Sequence, residues 1–337
     1  MPSRWFDAHL DLAYMARVGR DMRSADLSRC GGADPPAAVT LPSLAAGGVA
    51  ACLATIFTEA DGADAVGYPG GDTVAAGRRG REQMEVYDDW ERERLIRRWV
   101  NGCVPNSPGP LAVGILIEGA DPIASPDELL WWVERGVVAI GMAWAKSSRY
   151  AGGNTTDEPL TSLGRALVKA MDRLGVVHDA SHLSDAAFAQ LLAATDRPII
   201  ASHSNCRALI DTDGERRQRH LTDDAIREIS RRGGIIGLNV FSPFIIAGAR
   251  RDRRATLDEW AAHADHVCDI IGDREHIGLG SDMDGGFSAA MMPEGINSPR
   301  DLGLLCETLS ARRWTDAEVE AFAWGNWARF WSRCPTV

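Results

Sequence analysis

The chain has 337 residues, and its 36 Lys plus Arg against 47 Asp plus Glu give a formal net charge of −11. A protein this acidic is a poor partner for nucleic acid, because phosphates are bound mainly by Lys and Arg. Hydrophobic residues make up 45% of the sequence, but no apolar run reaches the length of a membrane span. We therefore expect a globular protein that binds neither nucleic acid nor a membrane.

The beginning of the chain and its cysteines indicate a cytoplasmic protein. Residues 1–7 lack the apolar segment of a signal peptide, and residues 334–337 offer no apolar tail for a lipid anchor. The cysteines are odd in number and form no CxxC pair, so neither a disulfide framework nor a zinc ribbon is indicated. We expect free, mostly structural thiols at Cys30, Cys52, Cys103, Cys206, Cys268, Cys306 and Cys334.

Short apolar runs alternate with longer amphipathic segments along the chain. The apolar runs are nearly continuous in Val, Ile, Leu, Ala and Gly, which is typical of strands buried on both faces. They predict eight strands, at Arg4–His9, Val49–Phe57, Leu111–Glu118, Val137–Ala143, Val176–Ser181, Pro198–Ser202, Gly234–Val240 and His276–Ser281. The amphipathic segments predict helices at Pro126–Arg135, Thr161–Leu174, Ser184–Ala194, Thr222–Arg232 and Thr256–Ile271.

Two stretches interrupt this alternation after the second strand. Residues 59–80 are rich in Gly, Ala and Asp and lack periodicity, so they predict a long loop, and about 81–100 predict a highly charged helix. A solvated excursion is the favoured interpretation of the loop, and a lid over a barrel mouth is the alternative.

The remaining elements complete the predicted architecture. Two more helices are expected at 298–312 and 315–332, with core positions for Trp324, Trp327 and Trp331. Eight strands alternating with helices is the count of a (β/α)8 TIM barrel, although a doubly wound parallel sheet has the same rhythm. The expected organisation is a single (β/α)8 barrel domain over residues 1–337, with the loop and charged helix at about 59–100 and extra C-terminal helices.

Side chains able to bind metal follow the predicted strands at their carboxyl ends, where barrel enzymes carry their catalytic groups. His9 and Asp11 are two positions apart, so at the end of a strand both point to the same side. Glu118 ends a long apolar strand, where an unpaired carboxylate would be costly to bury. His182, His203 and Asp282 follow three further strands. Each residue alone has an ordinary explanation as an ion pair or a core histidine, but together they favour one common site.

The donor set indicates a metal-dependent hydrolase. Imidazoles and carboxylates without a thiolate suit zinc, with manganese or cobalt as substitutes. Six ligands exceed the need of one catalytic zinc, so the set favours two ions about 3.5 to 4 Å apart with a bridging carboxylate. Glu118 is the expected bridge, and a carbamylated Lys146 is a minor alternative. The sequence contains no GxxxxGK[ST] loop, no GxGxxG after a strand and no GxSxG elbow.

Several motifs recur in a specific order along most of the chain. They are DAHLDL at 7–12, LPSLAAGGV at 41–49, EG at 118–119, DASH at 179–182, SHSN at 202–205, GSDMDG at 280–285 and GNW at 325–327. In order and spacing they resemble the membrane (renal) dipeptidase family, peptidase family M19, whose members resemble the wider amidohydrolase superfamily.

This resemblance implies a metal-dependent barrel with two zinc ions. One ion would be held by His9, Asp11 and Glu118, and the other by Glu118, His182 and His203. Asp282 would lie at the first ion and handle the proton of the attacking water. The resemblance also implies a homodimer.

Two residues are candidates for substrate binding. Arg219 is similar in position to the family arginine expected to hold the free carboxylate of the substrate, and a surface arginine is the alternative. Trp144 is a departure, because members such as the mammalian enzymes carry a histidine there. An indole offers a single N–H where an imidazole could serve a developing oxyanion, so Trp144 bears on substrate choice.

The expected function is that of a zinc-dependent dipeptidase, which hydrolyses the amide bond of small dipeptides (L-Xaa-L/D-Xaa) by a metal-bridging hydroxide. A drifted amidohydrolase acting on an N-acyl amino acid, a lactone or a cyclic amide is the first alternative. A metal-binding scaffold without catalysis is the alternative of another class, and the retention of Asp282 beside an open water position argues against it.

Overall fold

The computed structural model describes residues 2, 4–99, 104–105, 107–210, 217–249 and 251–333. The strands in these ranges are β1 Trp5–Leu10, β2 Val49–Phe57, β3 Glu59–Ala60, β4 Gly67–Tyr68, β5 Ile96–Arg98, β6 Leu111–Glu118, β7 Val137–Gly141, β8 Val177–Asp179, β9 Ile199–Ile200, β10 Ile236–Leu238 and β11 Ile277–Leu279.

Helices cover much of the remaining described sequence. The α-helices are α1 Leu12–Arg17, α2 Leu41–Ala46, α3 Thr73–Arg92, α4 Leu129–Val133, α5 Ser162–Leu174, α6 Asp185–Ala194, α7 Arg207–Ile210, α8 Asp223–Arg231, α9 Leu257–Ile271, α10 Gly303–Ala311, α11 Asp316–Glu320 and α12 Asn326–Arg333. Short 3-10 helices lie at Pro126–Glu128, Arg217–Arg219, Ser242–Phe244, Ala289–Met291 and Pro299–Asp301, and Ala321–Gly325 is wound as a π-helix. No helix within the described ranges is both long and apolar enough to cross a bilayer.

Parallel strands close into a barrel. Their order is β10-β11-β1-β2-β6-β7-β8-β9, and an isolated parallel bridge between Ala201 and Ile236 joins the two ends of this row. Helices follow the strands along the chain, as in a right-handed series of βα units. The predicted (β/α)8 TIM barrel is confirmed.

Strand register places the metal-binding candidates at one rim. Strands β2 and β6 pair from Ala51 with Ala112 to Phe57 with Glu118, so Glu118 is level with the end of β2. A Cβ on Gly280 would lie 1.7 Å from the carbonyl oxygen of Ser202, closer than backbone tolerates. Glycine there lets the ends of β9 and β11 approach each other at this rim.

Local chemistry sets the helix boundaries that the sequence predicts. The side chains of Thr161, Ser184 and Thr222 each accept the backbone N–H of the residue three positions later. Such caps contribute about 1 kcal/mol each. Helix α5 ends at Gly175, whose φ of 68° is readily adopted only by glycine.

A cluster of aromatic side chains fills the barrel interior from the C-terminal helices. Trp324, Trp327 and Trp331 are buried there, which confirms their predicted core positions. Trp327 stacks on Phe6 with ring centroids 5.5 Å apart, and its indole N–H donates to the carbonyl oxygen of Leu279. The interior is therefore a packed core.

The charged helix differs from its prediction. Helix α3 begins at Thr73, capped by Asp72, and not near residue 81. Gly80 lies in its first half, and a Cβ there would be 2.6 Å from the Cβ of Pro122. Glycine has a low helix propensity, so the sequence of this stretch predicts a loop. In the structure the helix forms because its packing against Pro122 stabilises it, and that packing leaves room only for glycine.

The other end of the predicted helix also differs. Helix α3 stops at Arg92, and Ile96–Arg98 forms β5, which pairs with β6. Residue 100, the expected end, lies outside the described residues.

The cysteines that the structure describes are buried and free of disulfides: Cys30, Cys52, Cys206, Cys268 and Cys306. This agrees with the expected free thiols. Cys103 and Cys334 lie outside the described residues.

Candidate metal centre and active site

Strand ends and the turns after them carry the six predicted metal-site residues. His9 lies in β1, Asp11 is the first residue after β1, and Glu118 is the last residue of β6. His182 and Asp282 have φ values of 66° and 61°, a left-handed backbone that is costly for residues other than glycine. Such strain at the ends of strands is characteristic of functional sites.

Glu118 lies at the centre of the six residues. Its Oε2 is 3.5 Å from His9 Nε2, and its Oε1 is 3.2 Å from His182 Nε2 and 3.4 Å from His203 Nε2. The Nε2 atoms of His182 and His203 are 3.0 Å apart. One carboxylate thus faces histidines on both sides through its two oxygens, which is the arrangement expected of a bridging ligand.

Asp11 and Asp282 complete the site on the side of His9. Ligand atoms of His9, Asp11 and Asp282 lie within 4.8 Å of one another, as do those of His9, Glu118 and His203. Asp11 accepts a hydrogen bond from Thr55, and Asp282 Oδ2 accepts one from Asn239 Nδ2 at 2.8 Å. The structure therefore brings all six predicted residues into one cluster.

The imidazoles are bonded at Nδ1 and turn Nε2 toward the centre. His182 Nδ1 is 2.8 Å from Asn154 Oδ1, and the Nδ1 atoms of His9 and His203 contact Ser202. His9 Nε2 is buried and has no hydrogen-bond partner among the described residues. A buried nitrogen of this kind is expected at a metal position, and the oxygen and nitrogen donors fit zinc.

The site's electrostatics also fit cations. Burial alone would raise the pKa of Glu118, but His9 and the other two imidazoles hold it well below its usual range. Burial lowers the pKa of His9, yet Glu118, Asp11 and Asp282 outweigh it and raise that pKa to about 10. The carboxylates around His9 thus stabilise positive charge at this position, as they would stabilise a divalent cation.

The pKa values of the other imidazoles and of Asp282 separate their roles. Burial, followed by the Arg219 guanidinium, lowers the pKa of His182 to about 4. Burial and the neighbouring His9 lower the pKa of His203 well below its usual range. Neutral imidazoles are the form that binds metal. Burial raises the pKa of Asp282 to about 8. The charges of Asp11 and Glu118 add to this shift, and His9 opposes it.

A cavity of about 300 Å³ opens over the cluster. Asp11, Glu118, His182, His203 and Asp282 form its base, and its walls include the aromatic residues Tyr14, Phe57, Trp144, Phe241, Phe244 and Phe287. A few convergent polar groups under apolar walls are typical of a small-molecule site.

Trp144 and the long loop contribute to this cavity. Trp144 packs against Phe57 at 5.0 Å between ring centroids and lies 6.1 Å from His182, so its indole borders the cluster. Glu59 and Asp64 of the loop also line the cavity. Tyr68 donates to Asp121 at 2.6 Å and anchors the buried segment 66–68, while residues 61, 63, 64 and 69–72 are exposed. The choice between a solvated excursion and a lid stays a prediction. The side chain of Lys146 is exposed and does not line the cavity.

Arg219 is buried beside the cluster and is not a surface arginine. Its guanidinium donates to the carbonyl oxygen of His203 at 2.7 Å and to Ser204 Oγ at 3.1 Å. It lines a neighbouring cavity of about 460 Å³, which shares His182 with the first one. Its Nε has no hydrogen-bond partner among the described residues. The role of Arg219 as a carboxylate anchor stays a prediction, as does the substrate contact of Trp144.

Several residues that support the cluster escape sequence analysis. Ser202 and Asp179 fall inside the SHSN and DASH motifs, but nothing in the sequence assigns them a contact with the histidines. Asn154, Asn239 and Thr55 carry no sequence signal, because their roles depend on loop conformation and on strand pairing across the barrel.

Comparison with known proteins identifies related chains. The sequence model of the membrane dipeptidase family, peptidase family M19, matches residues 2–337. The chain is 31% identical over 228 residues to an uncharacterized protein from the pqqA 5′ region of Klebsiella pneumoniae, covering 65% of this chain and 80% of that protein. It is 28% identical over 240 residues to an uncharacterized dipeptidase of Schizosaccharomyces pombe, covering 68% of this chain but only 54% of the yeast protein.

Solved structures share the fold. A metallopeptidase of family M19 described as dipeptidase AC superposes with a TM-score of 0.85 at 23% identity, covering 100% of both chains. A metallopeptidase from Rhodobacter sphaeroides, liganded with a phosphinate mimic of the dipeptide L-Ala-D-Ala, gives a TM-score of 0.84 at 24% identity, covering 99% of this chain and 100% of the other.

Proposed function

We propose that this chain, which belongs to the membrane dipeptidase family (peptidase family M19), uses two zinc ions to cleave dipeptides. Members of this family are hydrolases of the metallopeptidase class. The observation that supports the proposal most directly is Glu118, whose two carboxylate oxygens face the Nε2 atoms of His9 on one side and of His182 and His203 on the other. A carboxylate in that position is suited to bridging two ions.

The proposal assigns the ligands in two groups. His9, Asp11 and Glu118 would hold one ion, with Asp282 beside it, and Glu118, His182 and His203 would hold the other. When bound, the ions would supply polarisation of the scissile carbonyl and a lower pKa for the attacking water.

Asp282 is the proposed proton carrier. Its carboxylate lines the cavity and lies beside His9 and Asp11, where it could take a proton from water and return it to the departing amine. Asn239 donates to Oδ2 at 2.8 Å and leaves Oδ1 for this task. Asn239 thereby orients the carboxylate toward the cavity.

Arg219 and Trp144 are the proposed substrate contacts. Arg219 would bind the free carboxylate of a dipeptide through guanidinium N–H groups that its bonds to His203 and Ser204 leave available. Trp144 would close the wall over the scissile bond next to His182. The L-Ala-D-Ala mimic in the Rhodobacter sphaeroides structure supports a D-configured second residue as one accepted form of substrate.

The proposal is tested by amine release from a panel of L,L and L,D dipeptides. Zinc-loaded protein is compared with a chelated sample, and N-acyl amino acids and cyclic amides are assayed in parallel. We expect metal-dependent cleavage of dipeptides and little cleavage of the blocked substrates. Metal-replete protein that cleaves no dipeptide would contradict the proposal.

Trp144 favours one second candidate. An indole, where members such as the mammalian enzymes carry a histidine, makes the cavity wall more apolar, which suits an acylated or cyclic amide. Faster turnover of the N-acyl or cyclic panel than of any dipeptide would support that activity instead.

A further inference from the structure

Ser202 contacts two of the proposed metal ligands at once. Its side chain is fully buried, two residues after the end of β9. The hydroxyl oxygen lies 2.8 Å from His203 Nδ1 and 3.2 Å from His9 Nδ1, and it donates to Asp179 Oδ2 at 2.5 Å. One hydroxyl therefore joins two histidines that are 194 positions apart in the sequence, one in β1 and the other after β9.

The number of donors and acceptors on a hydroxyl decides how these contacts are made. Serine has one O–H to donate and two lone pairs to accept with. Asp179 is held as an acceptor, because its Oδ1 receives the backbone N–H groups of Ser181 at 3.1 Å and Ser202 at 2.8 Å. The hydroxyl proton of Ser202 is thus directed to Asp179 Oδ2. The next hydroxyl, Ser181 Oγ, is 3.4 Å away, beyond the usual O–H···O range.

Both lone pairs of Ser202 remain to accept hydrogen bonds from the imidazoles. When Nδ1–H of a neutral imidazole donates, its free lone pair is on Nε2. His9 and His203 would both be fixed in this tautomer by the same oxygen. His182 is oriented separately, through Asn154.

We propose that Ser202, oriented by Asp179, is a positioning residue that fixes the tautomers of His9 and His203 together, so that both present Nε2 to the metal ions. This inference rests on the proposed metal-dependent function. In most metal sites each histidine has its own carboxylate, carbonyl or water partner. Here the two ligands share one partner, so a change at Ser202 affects a ligand of each ion.

Two near-isosteric variants test this inference. Ser202→Ala removes both acceptor positions. Asp179→Asn keeps Oδ1 for the backbone N–H groups but turns Oδ2 into an amide that donates to Ser202. The hydroxyl proton must then point to an imidazole, which would place a proton on Nε2 of that histidine. Asp179→Asn should therefore disturb the ligands even though Ser202 is intact.

Ser181→Ala is the matched control. The Ser181 hydroxyl belongs to the same buried group, where it accepts from the backbone N–H of His203 at 3.2 Å and contacts Ser204 Oγ. Among the described contacts it touches neither imidazole.

Three readouts separate a positioning role from a structural one. Zinc affinity is measured by competition with a chelator, cobalt(II) substitution gives a ligand-field spectrum, and ¹⁵N NMR of labelled histidines reports the tautomers. We expect Ser202→Ala and Asp179→Asn to weaken zinc binding by about 10- to 100-fold. We also expect them to alter the cobalt spectrum and to change the Nδ1 signals of His9 and His203 but not of His182. Ser181→Ala should lose much less zinc affinity than the other two variants and should keep the Nδ1 signals of His9 and His203.

Two results would overturn the inference: unchanged zinc affinity and cobalt spectra in both variants, or an equal loss in Ser181→Ala. Circular dichroism establishes that each variant is folded, and Asp179→Asn keeps the test valid if Ser202→Ala does not fold. A wild-type protein that binds no zinc would refute the proposed function itself, and with it this inference. If the wild type binds zinc and the variants do not differ, only the positioning role fails.

Discussion

Replacing Arg219 by alanine tests whether its guanidinium serves the substrate or only the fold. The side chain is 3% exposed, so truncation to Ala removes a buried charge and leaves the carbonyl oxygen of His203 and Ser204 Oγ without their donor. Those losses act on the free protein and are felt equally by every substrate. A lost contact to a substrate carboxylate acts only on substrates that have one.

The size of the substrate-specific effect follows from the donors. Guanidinium has five N–H groups, and the bonds to His203 and Ser204 use one on each terminal nitrogen. The remaining donors include Nε–H, which has no partner among the described residues. A hydrogen bond to a charged group contributes about 1.5–3 kcal/mol. Loss of that contact would lower kcat/KM for a dipeptide by about 10- to 150-fold.

The assay compares a dipeptide with the same dipeptide ending in a carboxamide. We expect the wild type to prefer the carboxylate form and Arg219→Ala to lose that preference. Arg207→Ala is the control, because Arg207 lines the same neighbouring cavity but is paired with Asp185 at 2.6 Å. It should keep the preference. If Arg219→Ala lowers kcat/KM by the same factor on both substrates, the guanidinium only supports His203 and the carboxylate role is refuted.

Three other perturbations have expected outcomes. Asp282→Asn should keep the metal, measured by elemental analysis, and lower kcat by about 10²- to 10⁴-fold because it removes the proton carrier; full activity would exclude that role. Chelation should abolish activity and lower Tm, and with zinc at 100 times its Kd the expected stabilisation is about 2.7 kcal/mol; an unchanged Tm would mean that the cluster binds no metal. Arg20→Met should lower the free energy of unfolding by about 3–5 kcal/mol in urea titration, because Arg20 pairs with Asp284 in a buried site; a loss below about 1 kcal/mol would contradict the pairing.

The strands were predictable because burial on both faces gives a simple pattern. Val49–Phe57 and Leu111–Glu118 are observed at the predicted bounds. Val176–Ser181 is observed only as Val177–Asp179, because the backbone then turns to place His182 at a positive φ. Such turns are set by the site and have no counterpart in hydrophobic periodicity.

Predicting the cluster from sequence relied on barrel geometry. Carboxyl ends of parallel strands meet at one rim, so residues such as Glu118 and His203 were expected to converge before any distance was known. The environment of Arg219 and the double contact of Ser202 were not predictable. They depend on loop paths and on pairing between distant segments, such as the 193-position separation between His9 and Ser202.

Closure of the barrel joins the first strand to the last. Strand β1 pairs with β11, and the backbone N–H of Ser281 donates to Asp7, 274 positions earlier. During synthesis His9 and Asp11 leave the ribosome long before Asp282, and pairing over such a separation is among the slow events of folding. A nascent chain that stops before β11 would lack Asp282 and the strand that pairs with β1, so the cluster of six residues is complete only after the last strand has been made.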